Sequence, residues 1–264
     1  MNIFILSIIF LLISLLFSML GLGGGILYVP VLIFSKISIH NAAAISLSII
    51  LVTSLSALFV FLKNRLVDWK LALLIDPPTD VMAFLGGYYS VYFSEDILKF
   101  ILVFALILAA TFMMRKADLK TYSSSKKTWW IWNRNFNGRR YDVNLMITLP
   151  ITAGTGLLAG MIGITGGIIK LPLMVLLCGV PMDIAIATST VMVAATALFG
   201  LFGHVLVGHF DWNIIIPLGI VAFIGGQIGS RLSIKIDKEK MKKIFGFLLI
   251  VIAIKILLGI FNSF

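Results

Sequence analysis

Cysteine, histidine and charge are all scarce in this chain. The single cysteine, Cys178, excludes an internal disulfide and any thiolate metal cluster. Three histidines, His40, His204 and His209, are too few and too scattered for a zinc site, so neither a metal nor any other cofactor is expected. Charged residues make up 12% of the 264 residues and apolar residues 60%, where a soluble domain averages about 25% and 45–50%. That balance excludes an ordinary cytosolic globule, a disordered chain and a disulfide-rich scaffold. No Walker motif or dinucleotide fingerprint occurs, and no Ser/His/Asp or Cys/His set is placed for acyl transfer. An enzyme is therefore not expected, and ATP-driven transport would need a separate subunit.

What is abundant is hydrocarbon. The mean hydropathy is +1.11, and the apolar residues suffice for about eight spans of ~20 residues each. The first twenty residues hold no Lys or Arg and run too long without charge for a signal peptide, so they read as a retained membrane helix. Apolar stretches fall at 2–35, 42–62, 71–93, 97–114, 143–177, 184–207, 212–230 and 244–262. The net charge of +10 sits between these runs, which fits the excess of Lys and Arg on the inner side of membrane proteins and not a nucleic-acid partner.

Two stretches, 2–35 and 143–177, are far longer than one span, and glycine interrupts both: Gly21-Leu-Gly-Gly-Gly25 and Gly163-Ile-Thr-Gly-Gly167. Each reads as a broken helix. The surroundings repeat. GLGGGILYVP at 21–30 matches GITGGIIKLP at 163–172, AISLS at 44–48 matches ATSTV at 187–191, and Asp68-Trp69 matches Asp211-Trp212. The fold class expected is thus an all-α integral membrane protein of about eight segments in two duplicated halves, residues 1–114 and 143–264. Between them lies a basic linker, 115–142, with eight Lys or Arg against two Asp, expected to be a cytoplasmic connector with Trp129, Trp130 and Trp132 at the lipid interface.

Two signals disagree on how the halves are related. Eight simple crossings make them parallel, whereas two crossings per broken segment make them inverted. Inversion collects the basic loops 63–70, 115–142 and 231–243 on one side, and the positive-inside bias favours it. Against it, residues 24–36 make only about 20 Å of helix, short of the ~30 Å hydrocarbon core.

A broken helix exposes backbone N–H groups and a positive dipole end inside the membrane, where they must line protein or water. Breaks from two halves meeting at the midplane would make a site for a small anion. Gly23, Gly24 and Gly25 from the first half and Gly166 and Gly167 from the second are its expected walls. Lys170, inside an otherwise apolar run, is a costly charge that would complement the anion directly; its counterpart in the first half is Tyr28. The hydroxyls of Ser46, Thr188, Ser189 and Thr190 follow the breaks and stand in for water around an oxyanion, although hydroxyls also bond carbonyls one turn back. Asp76 and Asp80, in IDPPTD, are placed to carry protons, and the prolines between them signal a helix break. Asp68 and Asp211 read as helix caps, Arg231 as a membrane boundary, and His204 and His209 as loop residues.

Taken in order and duplicated, the glycine breaks with their following proline, the hydroxyl rows, the Asp-Trp pairs and GGQIGSRL resemble the TauE/SafE family of membrane proteins. The resemblance covers nearly the whole chain outside the linker and is best in the second half. It implies a multi-pass permease of the prokaryotic cell membrane that moves a small sulfur-containing anion outward, such as sulfite or an organosulfonate. The first half departs from the pattern where IDPPTDVMAFLGGYYS replaces a Gly/Ala-rich third span. Together the readings describe a secondary transporter working by alternating access, with a small anion, protons and the bilayer as partners and a homo-oligomer permitted. Rival readings are a cation or metal-ion carrier using Asp76 and Asp80, and a non-transporting membrane assembly protein.

Overall fold

A computed structural model describes residues 3–114, 129–208, 211–234, 250–251 and 253–258. The linker stretch 115–128, His209, the lysine-rich run after 234 and most of the last apolar segment lie outside the described residues.

Helix α1 (Ile3–Ser18) stops at a turn in which Gly21, Gly23 and Gly24 have φ of 66°, 72° and 88°, values that side chains with a Cβ rarely adopt. Helix α2 (Gly25–Phe34) leaves this turn and meets α3 (Ile39–Lys63), whose start is capped by the Ser38 hydroxyl accepting from the Asn41 amide. Asp68 caps α4 (Trp69–Ile75) by accepting from the Lys70 and Leu71 amides at 3.0 and 3.2 Å. Helix α5 (Pro77–Tyr89) follows after one residue, Asp76. The expected break there is a hinge: Pro77 and Pro78 occupy the first positions of α5, where a missing N–H costs little, and the Asp80 amide still bonds the Asp76 carbonyl. After a short 3₁₀ turn, α6 (Glu95–Met114) completes the first half.

The remaining helices follow the hairpin described below. Helix α7 (Leu145–Ile162) ends at Gly163, φ 72°. It is followed by α8 (Gly167–Pro172) with a π turn over Leu173–Leu177, then α9 (Met182–Leu206) and α10 (Trp212–Ser233), which Asp211 caps through the Asn213 amide. Residues 250–251 and 253–258 are again helical. Among the described residues, α3, α7, α9 and α10 are each long and apolar enough to cross a membrane, and α1, α2 and Gly167–Leu177 are shorter apolar helices.

The linker is not wholly a tether. Its second part forms a two-stranded hairpin, β1 (Ile131–Phe136) and β2 (Arg139–Asn144), with Arg134 opposite Tyr141. The cause is local: Asn137 and Gly138 both take positive φ, 51° and 76°, as a two-residue hairpin turn of this kind requires. The expectation of helix alone is corrected to that extent.

Packing pairs each half with the other. Helix α1 lies on α10 and α7 on α5, through glycines whose Cβ would overlap a neighbouring backbone: Gly229 on the Leu15 carbonyl, Gly160 on the Ala83 carbonyl. Helices α3 and α9 cross at the centre and run antiparallel. Leu47, near the start of α3, touches Gly200 near the end of α9, while Thr188, near the start of α9, meets Asp68 beyond the end of α3. Large apolar side chains such as Phe4, Phe59, Leu73 and Leu206 face outward, and the ionisable Lys170, Asp76 and Asp80 face inward. That is the arrangement hydrocarbon demands.

Candidate functional site

The two helix breaks touch. The Thr165 hydroxyl, in the second break, donates to the Leu22 carbonyl in the first at 3.3 Å, and Gly25 packs against Ile164. Each break is also held by a hydroxyl from the other half: Ser46 donates to the Gly163 carbonyl at 2.7 Å and Ser189 to the Gly21 carbonyl at 2.8 Å. These two serines therefore fasten the breaks and do not face Lys170. Thr190 bonds the Ile186 carbonyl of its own helix, and Thr188 accepts the Asp68 amide at 3.1 Å. Of the expected hydroxyl ligands, none lies beside Lys170.

The glycines divide similarly. Gly23 packs between Val193, Ile50 and Ser54, Gly24 under the Tyr28 ring, and Gly167 against Val193 beside the Gly21 carbonyl. Gly166 alone borders the charged cluster: a Cβ there would lie 3.1 Å from Lys170 Cε, so the bare backbone gives the lysine stem its passage. Neither α2 nor α8 carries a side-chain cap at its start.

Lys170 is fully buried, and its Nζ forms an ion pair with Asp76. The same Nζ donates to Thr196 Oγ1 at 2.9 Å, and that hydroxyl donates to Asp80 Oδ1 at 3.0 Å. A hydrogen-bonded chain thus runs Asp76–Lys170–Thr196–Asp80, drawing on the α4–α5 hinge, α8 and α9. Lys170, expected to complement an anion directly, has its charge met by Asp76 in this structure. A lone ammonium in low dielectric is too costly to leave unpaired, and the nearest carboxylate answers it. In the first half the counterparts are Tyr28 and Thr53, whose hydroxyls lie 3.3 Å apart, with Phe10 stacked on Tyr28 at 4.6 Å. Tyr28 pairs with Thr53 as Lys170 pairs with Thr196, but only the latter pair carries a charge.

A second buried cluster was not foreseen. Arg134 of the hairpin donates from Nε and Nη2 to Asp68 at 2.8 and 3.0 Å, and Tyr141 donates its hydroxyl to the same carboxylate. Burial by itself pushes the Asp68 carboxyl up. The hydrogen bonds from Arg134, Tyr141 and the Leu71 amide, with the Arg134 charge, outweigh that and hold it below the usual carboxylate range. The hairpin also bonds Arg65 through Asn137 and pairs Arg139 with Asp183, so it ties the turn after α3 to the first turn of α9. Its signal was present as Asn-Gly between two alternating runs, masked by the basic composition around it.

His204 is corrected as well. It is a buried residue of α9 whose Nε2 bonds the Gly160 carbonyl at 2.9 Å, not a loop residue. The small neighbours Gly87 and Gly203 make room for helices to close around it.

Comparison with known proteins places the chain among membrane transporters. The profile of the family described as sulfite exporter TauE/SafE matches residues 6–256. A probable membrane transporter protein of Bacillus subtilis, YunE, is 27% identical over 256 residues, covering 93% of this chain and 94% of its own. One from Methanocaldococcus jannaschii is 26% identical over 234 residues, covering 84% and 81%. Another from Xylella fastidiosa is 31% identical over 117 residues, 44% of this chain and 45% of its own. No solved structure matches the chain. The relatives are bacterial and archaeal, and this is a multi-pass membrane transporter of the prokaryotic cell membrane. The chain belongs to the sulfite exporter TauE/SafE family.

Proposed function

We propose that the protein is a secondary transporter exporting a small sulfur oxyanion, sulfite or an organosulfonate, by alternating access between two inverted halves. Lys170 carries the reading. It is the one fully buried cation among the described residues, and its stem passes Gly166 at the second helix break. An oxyanion entering there exchanges with Asp76 for the ammonium, with the start of α8, which carries no side-chain cap, beside it. The antiparallel crossing of α3 and α9 and the reciprocal pairs α1–α10 and α5–α7 support inversion, with the two halves rocking about that crossing. Net direction follows the gradients of the anion and of any coupled ion.

The test is reconstitution in liposomes with efflux of sulfite, sulfoacetate and sulfate followed with and without a pH gradient. Saturable, competable efflux of one anion that is lost in Lys170→Ala is the expected result; efflux insensitive to Lys170 overturns it. One observation favours a second reading, a cation carrier: two carboxylates, Asp76 and Asp80, surround the single ammonium. That reading requires cation flux that survives Lys170→Ala and fails in Asp76→Asn or Asp80→Asn.

A further inference from the structure

The hydrogen inventory of the Lys170 cluster decides more than where an anion binds. A threonine hydroxyl has one hydrogen to give. In this structure Thr196 receives its bond from Lys170 and spends its hydrogen on Asp80. Lys170 likewise has its charge engaged by Asp76. As long as both carboxylates are ionised, the threonine hydrogen is spent on Asp80 and the ammonium is held by Asp76 and Thr196. Two carboxylates and one ammonium then leave the buried cluster with a net charge of −1, and an anion added to it meets repulsion that a buried setting screens weakly.

Proton uptake at Asp80 reverses each of these conditions. The protonated carboxyl becomes a donor and turns its O–H toward Thr196 Oγ1, so the threonine hydrogen is released. The same proton removes one negative charge. Lys170 Nζ and Thr196 Oγ1, 2.9 Å apart, then present two donors to one oxyanion as Asp76 gives up the ammonium. The balance is one anion and one proton taken in together, with no bond broken except hydrogen bonds and one ion pair.

Resting on the anion-transport reading of this site, we propose that Thr196 is a substrate ligand made available by a proton on Asp80, so that anion and proton bind and travel together.

The neighbours bear on this in a consistent way. From the α4–α5 hinge the cluster receives Asp76 and Asp80, from α8 Lys170, and from α9 Thr196. The α7 contribution at this point is Thr155, whose Cγ2 lies by Gly166 and whose hydroxyl is bonded to the Ile151 carbonyl. His204, two turns further along α9, faces the Gly160 carbonyl. The duplicated counterpart offers an internal contrast: Tyr28 and Thr53 keep the hydroxyl pair, but Gly219 and Phe223 stand at the positions matching Asp76 and Asp80. Proton-linked binding is thereby confined to the second half's copy of the site.

The test uses the full chain in proteoliposomes loaded with a pH-sensitive dye. Sulfate and sulfoacetate are the probes, because their charge is constant between about pH 6 and pH 8. The wild type is expected to take up protons with the anion, and its apparent affinity to fall as pH rises, approaching about tenfold per pH unit, the limiting slope of one linked proton. Thr196→Val is expected to bind weakly with less than about a twofold change over the same range, and Thr196→Ser to restore the slope. Asp80→Asn is expected to hold its low-pH affinity at every pH and to move the anion without protons. Wild-type anion flux with no pH slope and no proton movement overturns the inference while leaving anion transport standing. A Thr196→Val protein with the wild-type slope also overturns it. Absence of saturable anion flux in the wild type overturns the transport reading on which it rests.

Discussion

Arg134 grips Asp68 with two hydrogen bonds, at 2.8 and 3.0 Å, across a separation of 66 residues in the chain. The carboxylate is fully buried, caps α4 through two amides, and its own backbone amide is bound by Thr188 of α9. One residue therefore joins the hairpin, the first half and the second.

Removing the carboxylate charge should loosen all three. Asp68→Asn leaves Arg134 facing a neutral amide in a buried setting, at a cost of roughly 2–4 kcal/mol, the lower end applying because the arginine is partly exposed. Thermal unfolding in detergent should shift down, and amides of 131–144 should exchange faster. Arg134→Lys should restore little, since a single ammonium cannot make the forked contact. Unchanged exchange in the hairpin would show that the strands are held by something else.

Acid should act on the same contact. Because the folded Asp68 carboxyl sits below its ordinary value near 4, its stabilisation is present in full above that pH and is lost as pH falls through the lowered folded value. Hairpin protection should be constant from neutral pH down to about pH 4 and decline below it. In Asp68→Asn that decline should be absent, which hydrogen exchange at stepped pH will show.

The crossed serine bonds at the breaks should be equivalent in energy. Ser46→Ala and Ser189→Ala each orphan a buried carbonyl, at about 1–3 kcal/mol apiece. Gly163→Ala should be far worse. It demands positive φ of a residue with a Cβ, and that Cβ would overlap Ala43. Expression and melting temperature of the three variants will rank them, and an asymmetric pair of serine effects would show that the breaks bear unequal load.

Stability and transport should separate at Lys170. Lys170→Met alone leaves Asp76 as an unpaired buried charge, a loss of roughly 3–5 kcal/mol. Adding Asp76→Asn should recover most of the stability, because a neutral pair can be buried without a counter-charge. It should not recover anion flux. A double variant that transports normally would assign the lysine a structural role.

What could be read in the residues, and what could not, follows from the range of the interactions. The Asp-Trp pairs were legible because a cap acts on amides two and three residues away. The glycine breaks were legible because positive φ is a property of one residue. Thr188, Ser189 and Ser46 were legible as hydroxyls in membrane helices, yet their partners lie 120, 168 and 117 residues away. No spacing rule says which carbonyl or amide a hydroxyl will meet at that distance. His204 was misread for the same reason: its position near a helix end says loop, whereas the close approach of α5 to α9 buries it.

The sequence alone determined that this chain lives in a bilayer, that glycines interrupt two of its long apolar runs, and that a costly lysine follows one of those breaks. Those conclusions rest on hydrocarbon transfer, local backbone conformation and the energy of a buried charge, none of which depends on long-range contacts. The tertiary structure decided the partners. It set Asp76 on Lys170 and Thr196 between Lys170 and Asp80, crossed the serines onto the opposite breaks, and folded half of an apparent tether into a clasp on Asp68. Charge pairing needs side chains within a few ångströms, and only the packing of helices from both halves brings together residues that the chain holds so far apart.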